Sequence, residues 1–168
     1  MTPVTPPDTD RLRFRGWRND DFDPFHAICS NSRVMKHVGD GKVWQSERTH
    51  QFIQSAIETL WDHGYCQWAL IHKAENKLIG YCGFRKTDEF PEIGWRLAPE
   101  FWGQGLATEA AKAALKYGFV VLNFNRVTAT VQTANTASVR VIEKLGMTLE
   151  QRVDRDGREI LTYAVGAD

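Results

Sequence analysis

The chain has no excess of charge of either sign: 21 basic residues balance 21 acidic ones over 168 residues. No global field therefore draws it to nucleic acid or to an anionic membrane surface. Long apolar runs are missing as well, and nothing approaches the roughly 18 residues of a membrane-spanning helix. Cysteine is scarce. Cys29, Cys66 and Cys82 are odd in number, widely spaced and set among apolar residues, so they read as reduced core thiols rather than a disulfide framework. His26, His37, His50, His63 and His72 are scattered, with no H-E-x-x-H and no His/Cys cluster, and no metal site is expected. A G-x-S-x-G elbow, a P-loop and a dinucleotide fingerprint after the first strand are also lacking. Met1 to Pro7 has neither the basic nor the apolar region of a signal peptide, and its three prolines predict an irregular lead-in over 1–8. A cytoplasmic location is the default expectation.

What is present is a folded domain. An apolar fraction of 42% with 25% charged residues is that of a globular chain, and the length suits one domain over 9–168. Leu12, Phe14 and Trp17 mark a first strand from Arg11 to about Gly16. Asp20 or Asp21 is positioned to cap a helix whose face carries Phe22, Phe25, Ile28 and Cys29. After the break at Gly39-Asp40-Gly41, Ser46 should cap a second helix with the stripe Phe52, Ile53, Ala56, Ile57, Leu60 and Trp61, ending at Gly64. Strands over about 65–72 and 77–85 form a hairpin.

A further strand, Glu92 to Leu97, sets Ile93, Trp95 and Leu97 against Glu92, Gly94 and Arg96. A helix from about Ala107 to Leu122 follows, its apolar stripe being Ala111, Leu115, Phe119 and Leu122, with Glu109, Lys112 and Lys116 toward water. A strand over 126–132, a helix over about 136–145 capped by Asn135, and a hairpin turning at Asp154 to Gly157 complete the order. The fold class expected is α/β (α+β), a mostly antiparallel sheet of about seven strands flanked by about four helices, with one central parallel βαβ crossing.

The turn between the central strand and its helix carries the chemistry. Trp102-Gly103-Gln104-Gly105-Leu106-Ala107-Thr108 presents backbone with few bulky side chains at a helix start. Unpaired N–H groups and the positive end of the helix dipole there suit a phosphate or pyrophosphate, unless the glycines serve turn geometry alone.

These residues resemble the pyrophosphate loop of the GNAT superfamily of CoA-dependent N-acetyltransferases, usually R/Q-x-x-G-x-G/A, with Trp102 in the Arg or Gln position and Ala107 in the last small one. The phrase from Pro99 to Ala110 is most similar to the RimJ/RimL branch, which acetylates protein N-terminal amines. Asn135-Thr136-Ala137-Ser138, Glu143 to Met147 and the opening Asp10 to Arg15 fit that branch in the same order, so the similarity spans about residues 9–165. The resemblance implies a sheet splayed at the central βαβ and acetyl-CoA as the co-substrate, with no metal. It implies that backbone groups of Trp95, Arg96 and Leu97 pair with the pantetheine arm. The amides around Gly103, Gln104, Gly105, Leu106, Ala107 and Thr108 would hold the pyrophosphate, and Asn135 would contact the cofactor. Trp102 brings no cation, which leaves more of that contact to the backbone.

Thioester aminolysis needs a base for the amine proton and an acid for the leaving sulfur. Glu92 is the expected base, with Asp88, Glu89 or a water as rivals; solvated surface acids are the plainer reading of all three. The tyrosine that often serves as acid in the wider family falls at Ile142, so Ser138 takes that role, against the plainer reading of a first-turn serine satisfied by the cap. Trp44, Trp61, Trp68, Tyr65 and Tyr81 are candidate walls for the acceptor, although aromatics are more often core. The expected activity is acetyl transfer to a primary amine, a protein N-terminus or a small molecule, by a monomer or homodimer. A non-catalytic acyl-CoA sensor on the same fold is the alternative from another class.

Overall fold

The computed structural model describes residues 4–168. Its elements are β1 (Leu12–Arg15), α1 (Phe22–Cys29), α2 (Ser32–Met35), α3 (Ser46–His63), β2 (Gln67–His72), β3 (Lys77–Arg85), β4 (Glu92–Leu97), α4 (Leu106–Val120), β5 (Arg126–Gln132), α5 (Thr136–Lys144), β6 (Thr148–Arg155) and β7 (Arg158–Gly166). They build one seven-stranded sheet in the order β1-β2-β3-β4-β5-β7-β6. Every neighbouring pair is antiparallel except β4 and β5. The mixed sheet with one parallel crossing is the architecture expected from the element order.

The two faces of the sheet bury different layers. Trp68 and Phe84, both fully buried, point to α4, where Trp68 meets Tyr117 edge-on at 5.7 Å. Gly118 makes that approach possible, because a Cβ there would stand 2.8 Å from the Phe84 ring. On the opposite face Tyr81 packs against Phe25 of α1 and Phe52 of α3, with ring centroids 6.1 and 5.1 Å apart. Each such aromatic contributes about 1.5–3 kcal/mol through burial, so both helical layers are held firmly to the sheet.

The feature that shapes the site is a split in that sheet. Strand β4 pairs with β3 along its whole length, from Arg85↔Glu92 to Gly80↔Leu97. With β5 it shares only Glu92↔Thr128, supported by the Thr128 N–H on the Pro91 carbonyl at 3.0 Å. Beyond that rung the strands diverge. The Ala98 N–H donates to Ile79 of β3, so by strand alternation the main-chain groups of Gly94 and Arg96 also face β3. Those of Trp95 and Leu97 face the opening.

Several sequence expectations shift by physical detail. Helix α2 was not anticipated: its four residues are too few to show a periodicity. Gln45, not Ser46, is the N-cap of α3, and neither Asp20 nor Asp21 caps α1 through its side chain. Asp21 is instead buried beneath Arg15, whose two Nη atoms reach its carboxylate at 2.8 and 2.7 Å. Trp61 lies 63% exposed at the outer edge of the α3 stripe. Helix α4 ends at Val120, short of Leu122. Of the expected lead-in, residues 1–3 lie outside the described residues; 4–8 hold no helix or strand, yet Pro6 is buried.

Candidate active site

The turn from β4 into α4 is built for exposed backbone. A 3-10 turn, Pro99–Phe101, is followed by Gly103 and Gly105, both left-handed at φ +72° and +77°. Gly105 is the N-cap of the 15-residue α4. Glycine adopts this conformation without the strain a Cβ would add. The amides of Gly103 to Thr108 donate to no acceptor among the described residues, and the first of them in the helix have none by geometry.

A latch holds this loop from behind. Glu109, on the first turn of α4 and not in open water, accepts from the Thr9 hydroxyl at 2.6 Å and from the Arg11 amide and Nε at 3.0 and 2.7 Å. Arg11 Nη1 then donates to the Gln104 carbonyl at 2.8 Å. Burial pushes the Glu109 carboxyl up, but the hydrogen bonds from Thr9 and Arg11 and the Arg11 charge outweigh it and hold it below the usual range. A lowered folded-state pKa stabilises the fold above the ordinary carboxylate value, and that stability is lost as pH falls through the folded value. Glu109→Gln should therefore cost about 1 kcal/mol at pH 7 in denaturant unfolding. The difference from wild type should shrink below about pH 4.

Trp102 departs from a bare loop residue. Its indole N–H donates to the Leu97 carbonyl at 2.9 Å, and the Arg33 guanidinium of α2 stands 5.4 Å from its ring. A cation thus does stand at this corner, brought from α2 rather than from the loop. Leu97 keeps its N–H for the opening, and Trp95 keeps both main-chain groups there. The Arg96 main chain, expected beside them, is taken up by β3.

The opening leads into a cleft of about 1020 Å³ on the α1/α3 face. Glu92, Arg96, Asn135, Ser138, Trp44 and Tyr81 line it. Glu92 receives Arg85 Nη2 at 3.0 Å and the Thr130 hydroxyl at 3.1 Å, which fix its carboxylate at the last shared rung of β4 and β5. Its rivals Asp88 and Glu89 are exposed and lie outside the cleft lining. The Asn135 side chain caps α5 by accepting from the Ser138 N–H at 3.3 Å. The Ser138 hydroxyl has no hydrogen bond among the described residues and borders the cleft above buried Ile142. Of the aromatic candidates, Trp44 and Tyr81 do wall the cleft. Trp68 is core, Tyr65 packs on Phe84 and Phe124, and Trp61 faces solvent. Arg155, the last residue of β6, reaches the rim.

Arg96 is the residue that alternation misplaces. Set with Glu92 on the polar side of β4, it is only 7% exposed. Its guanidinium lies 4.5 Å from the Trp44 ring centroid and 5.3 Å from that of Tyr81. Nη1 donates to Cys29 Sγ at 3.2 Å, and Nε is buried with no partner. Cation–π contacts of this kind contribute about 0.5–2 kcal/mol each, against several kcal/mol for burying an ion without a counter-charge. Two rings and a thiol leave the charge under-compensated.

A split parallel seam opens beside a glycine-rich helix start, with a cleft behind it, which is the arrangement the resemblance to the GNAT superfamily implied. The family model described as acetyltransferase (GNAT) domain matches residues 11–148, and the chain belongs to that family. An acetyltransferase of the GNAT family from Bacillus anthracis superposes with a TM-score of 0.83 at 32% identity, covering 95% of this chain and 96% of its own. The spermidine N(1)-acetyltransferase of Escherichia coli K12 is 26% identical over 86% of this chain and 76% of its own length. RimL, the ribosomal L7/L12 alpha-N-protein acetyltransferase solved with coenzyme A, shares the fold at a TM-score of 0.82 and 19% identity, covering 96% and 97%. Among the described residues no group of side chains is arranged to hold a metal ion, and no helix is long and apolar enough to cross a membrane.

Proposed function

We propose that this domain, residues 9–168, transfers an acetyl group from acetyl-CoA directly to a primary amine. The observation that carries the reading is the single-rung seam between β4 and β5, which runs from the free amides of the Gly103–Thr108 loop to the cleft holding Glu92 and Ser138. The pyrophosphate is bound at those amides, with the Thr108 hydroxyl beside them and the α4 dipole behind. The pantetheine arm lies in the seam as an added strand on the Trp95 main chain and the Leu97 N–H, with Asn135 alongside. The chemistry supplied is a thioester carbonyl presented at the cleft.

In the reaction the amine nitrogen forms the new C–N bond and the C–S bond breaks. Glu92 takes the amine proton, directly or through a water, and the Ser138 hydroxyl donates to the departing sulfur. A main-chain N–H of β4 in the seam stabilises the charge that develops on the carbonyl oxygen. Positioning of the two substrates supplies much of the acceleration. Three buried free thiols suit a reducing compartment such as the cytoplasm.

The test is thiol release from acetyl-CoA across a panel of peptides, polyamines and amino compounds. Release with some acceptors supports transfer, whereas CoA binding with no release for any of them points to the sensor reading. Within that assay Ser138→Ala should lower kcat by about 10- to 100-fold while CoA affinity in calorimetry changes less than threefold. Equal turnover removes Ser138 from the chemistry.

A further inference from the structure

We infer that the Arg96 side chain is the recognition point for a carboxylate on the acceptor, so that the substrate is an amine carrying an acidic group. The inference rests on the acetyl-transfer reading above and names the acceptor class of the same site. An arginine is always charged and offers donors in a planar fork. Here Arg96 is 7% exposed and lines the cleft, with Nε unpaired and Nη1 on a sulfur. Desolvation raises the Cys29 pKa, so this neighbour is a neutral thiol and a weak acceptor, not a counter-ion. No carboxylate of the described residues pairs with Arg96.

The surroundings agree in sign. Once the pairs Arg85–Glu92 and Lys42–Asp40 are set aside, Arg48, Arg96 and Arg155 stand against Glu47 alone along the cleft. A polyamine would bring further cations into that field, whereas an acid neutralises it. A carboxylate, planar and singly charged, matches one guanidinium. Trp44 and Tyr81 hold the fork in place, so the acid meets a pre-oriented partner.

The position also separates this anion from those of the cofactor. Tyr81↔Arg96 is a cross-strand pair, so Arg96 shares the Tyr81 face toward α1 and α3. The pyrophosphate loop opens the helix that covers the other face.

The experiment compares β-alanine, 4-aminobutyrate and 6-aminohexanoate with their primary amides, and with spermidine, in the thiol-release assay. The same compounds are titrated calorimetrically into the CoA-loaded protein. In the wild type the acid of at least one pair should exceed its amide by about 10- to 100-fold in kcat/KM or affinity. Arg96→Met should erase that gap by raising KM for the acid alone. Arg96→Lys, which keeps the cation but not the fork, should restore part of it. Acid and amide handled equally, a gap that survives in Arg96→Met, or spermidine preferred over every acid overturns the inference. Acetyl transfer confined to the amides would leave the transferase reading standing and remove this one. With no thiol release from any of these compounds, the calorimetric acid–amide gap still decides the role of Arg96, while the transferase reading is decided by the wider acceptor panel.

Discussion

Gly105→Trp should raise the dissociation constant of acetyl-CoA by about 100-fold or more in calorimetry while the protein remains folded. At φ +77° the position asks for left-handed backbone, which costs a bulky residue about 1–3 kcal/mol. That strain alone leaves the chain folded, because a domain of this size carries roughly 5–15 kcal/mol of stability. The Cβ itself has room, its nearest neighbour being Arg11 Nη2 at 3.7 Å. The indole beyond it either displaces Arg11 from the Gln104 carbonyl or covers the amides at the start of α4. Each hydrogen bond to a charged phosphate is worth about 1.5–3 kcal/mol, so losing one or two accounts for the expected weakening. Unchanged affinity would place the phosphates elsewhere.

Glu92→Gln carries the second large effect. The amide is isosteric and can keep a contact with Thr130, but it does not take up the amine proton. Turnover at neutral pH should fall by about 100-fold or more, with acetyl-CoA affinity within threefold of wild type. Raising the pH should recover part of the loss, because more of the amine is then already neutral. A variant that turns over like the parent assigns the proton to water or to another group and leaves Glu92 as the clasp between Arg85 and Thr130.

The parts of this protein legible in sequence are those where local chemistry and tertiary role coincide. Asn135 caps α5 because its side chain does so in any helix, and Gly64 and Gly105 take left-handed backbone that few other residues accept. Gly103 and Gly105 at a helix start left an anion site and a bare turn both open, and it was the motifs in order around them that spoke for the family. What escaped depends on partners distant in the chain. Arg96 alternates correctly with its neighbours but meets Cys29 of α1 and Trp44 of the segment before α3, and no period along β4 carries that information. Arg33 reaches Trp102 from a helix of one turn. Glu109 sits on the polar side of a helical wheel, yet Thr9 and Arg11 cover it. Trp61 errs the other way: it fits the apolar stripe of α3, yet it lies 63% exposed.

The one-rung seam also has a mechanical meaning. Strands β1 to β4 form one half of the sheet and β5 to β7 the other, and between them hydrogen bonding is reduced to the neighbourhood of Glu92 and Thr128. The covalent bridge is α4. A ligand lying along this fissure would stitch the halves into one cooperative body. Its occupancy at 100 times its dissociation constant would add about 2.7 kcal/mol to the fold by mass action. The donor would then be a removable strand of the sheet, with the rigidity of the acceptor cleft tied to the charging of the site.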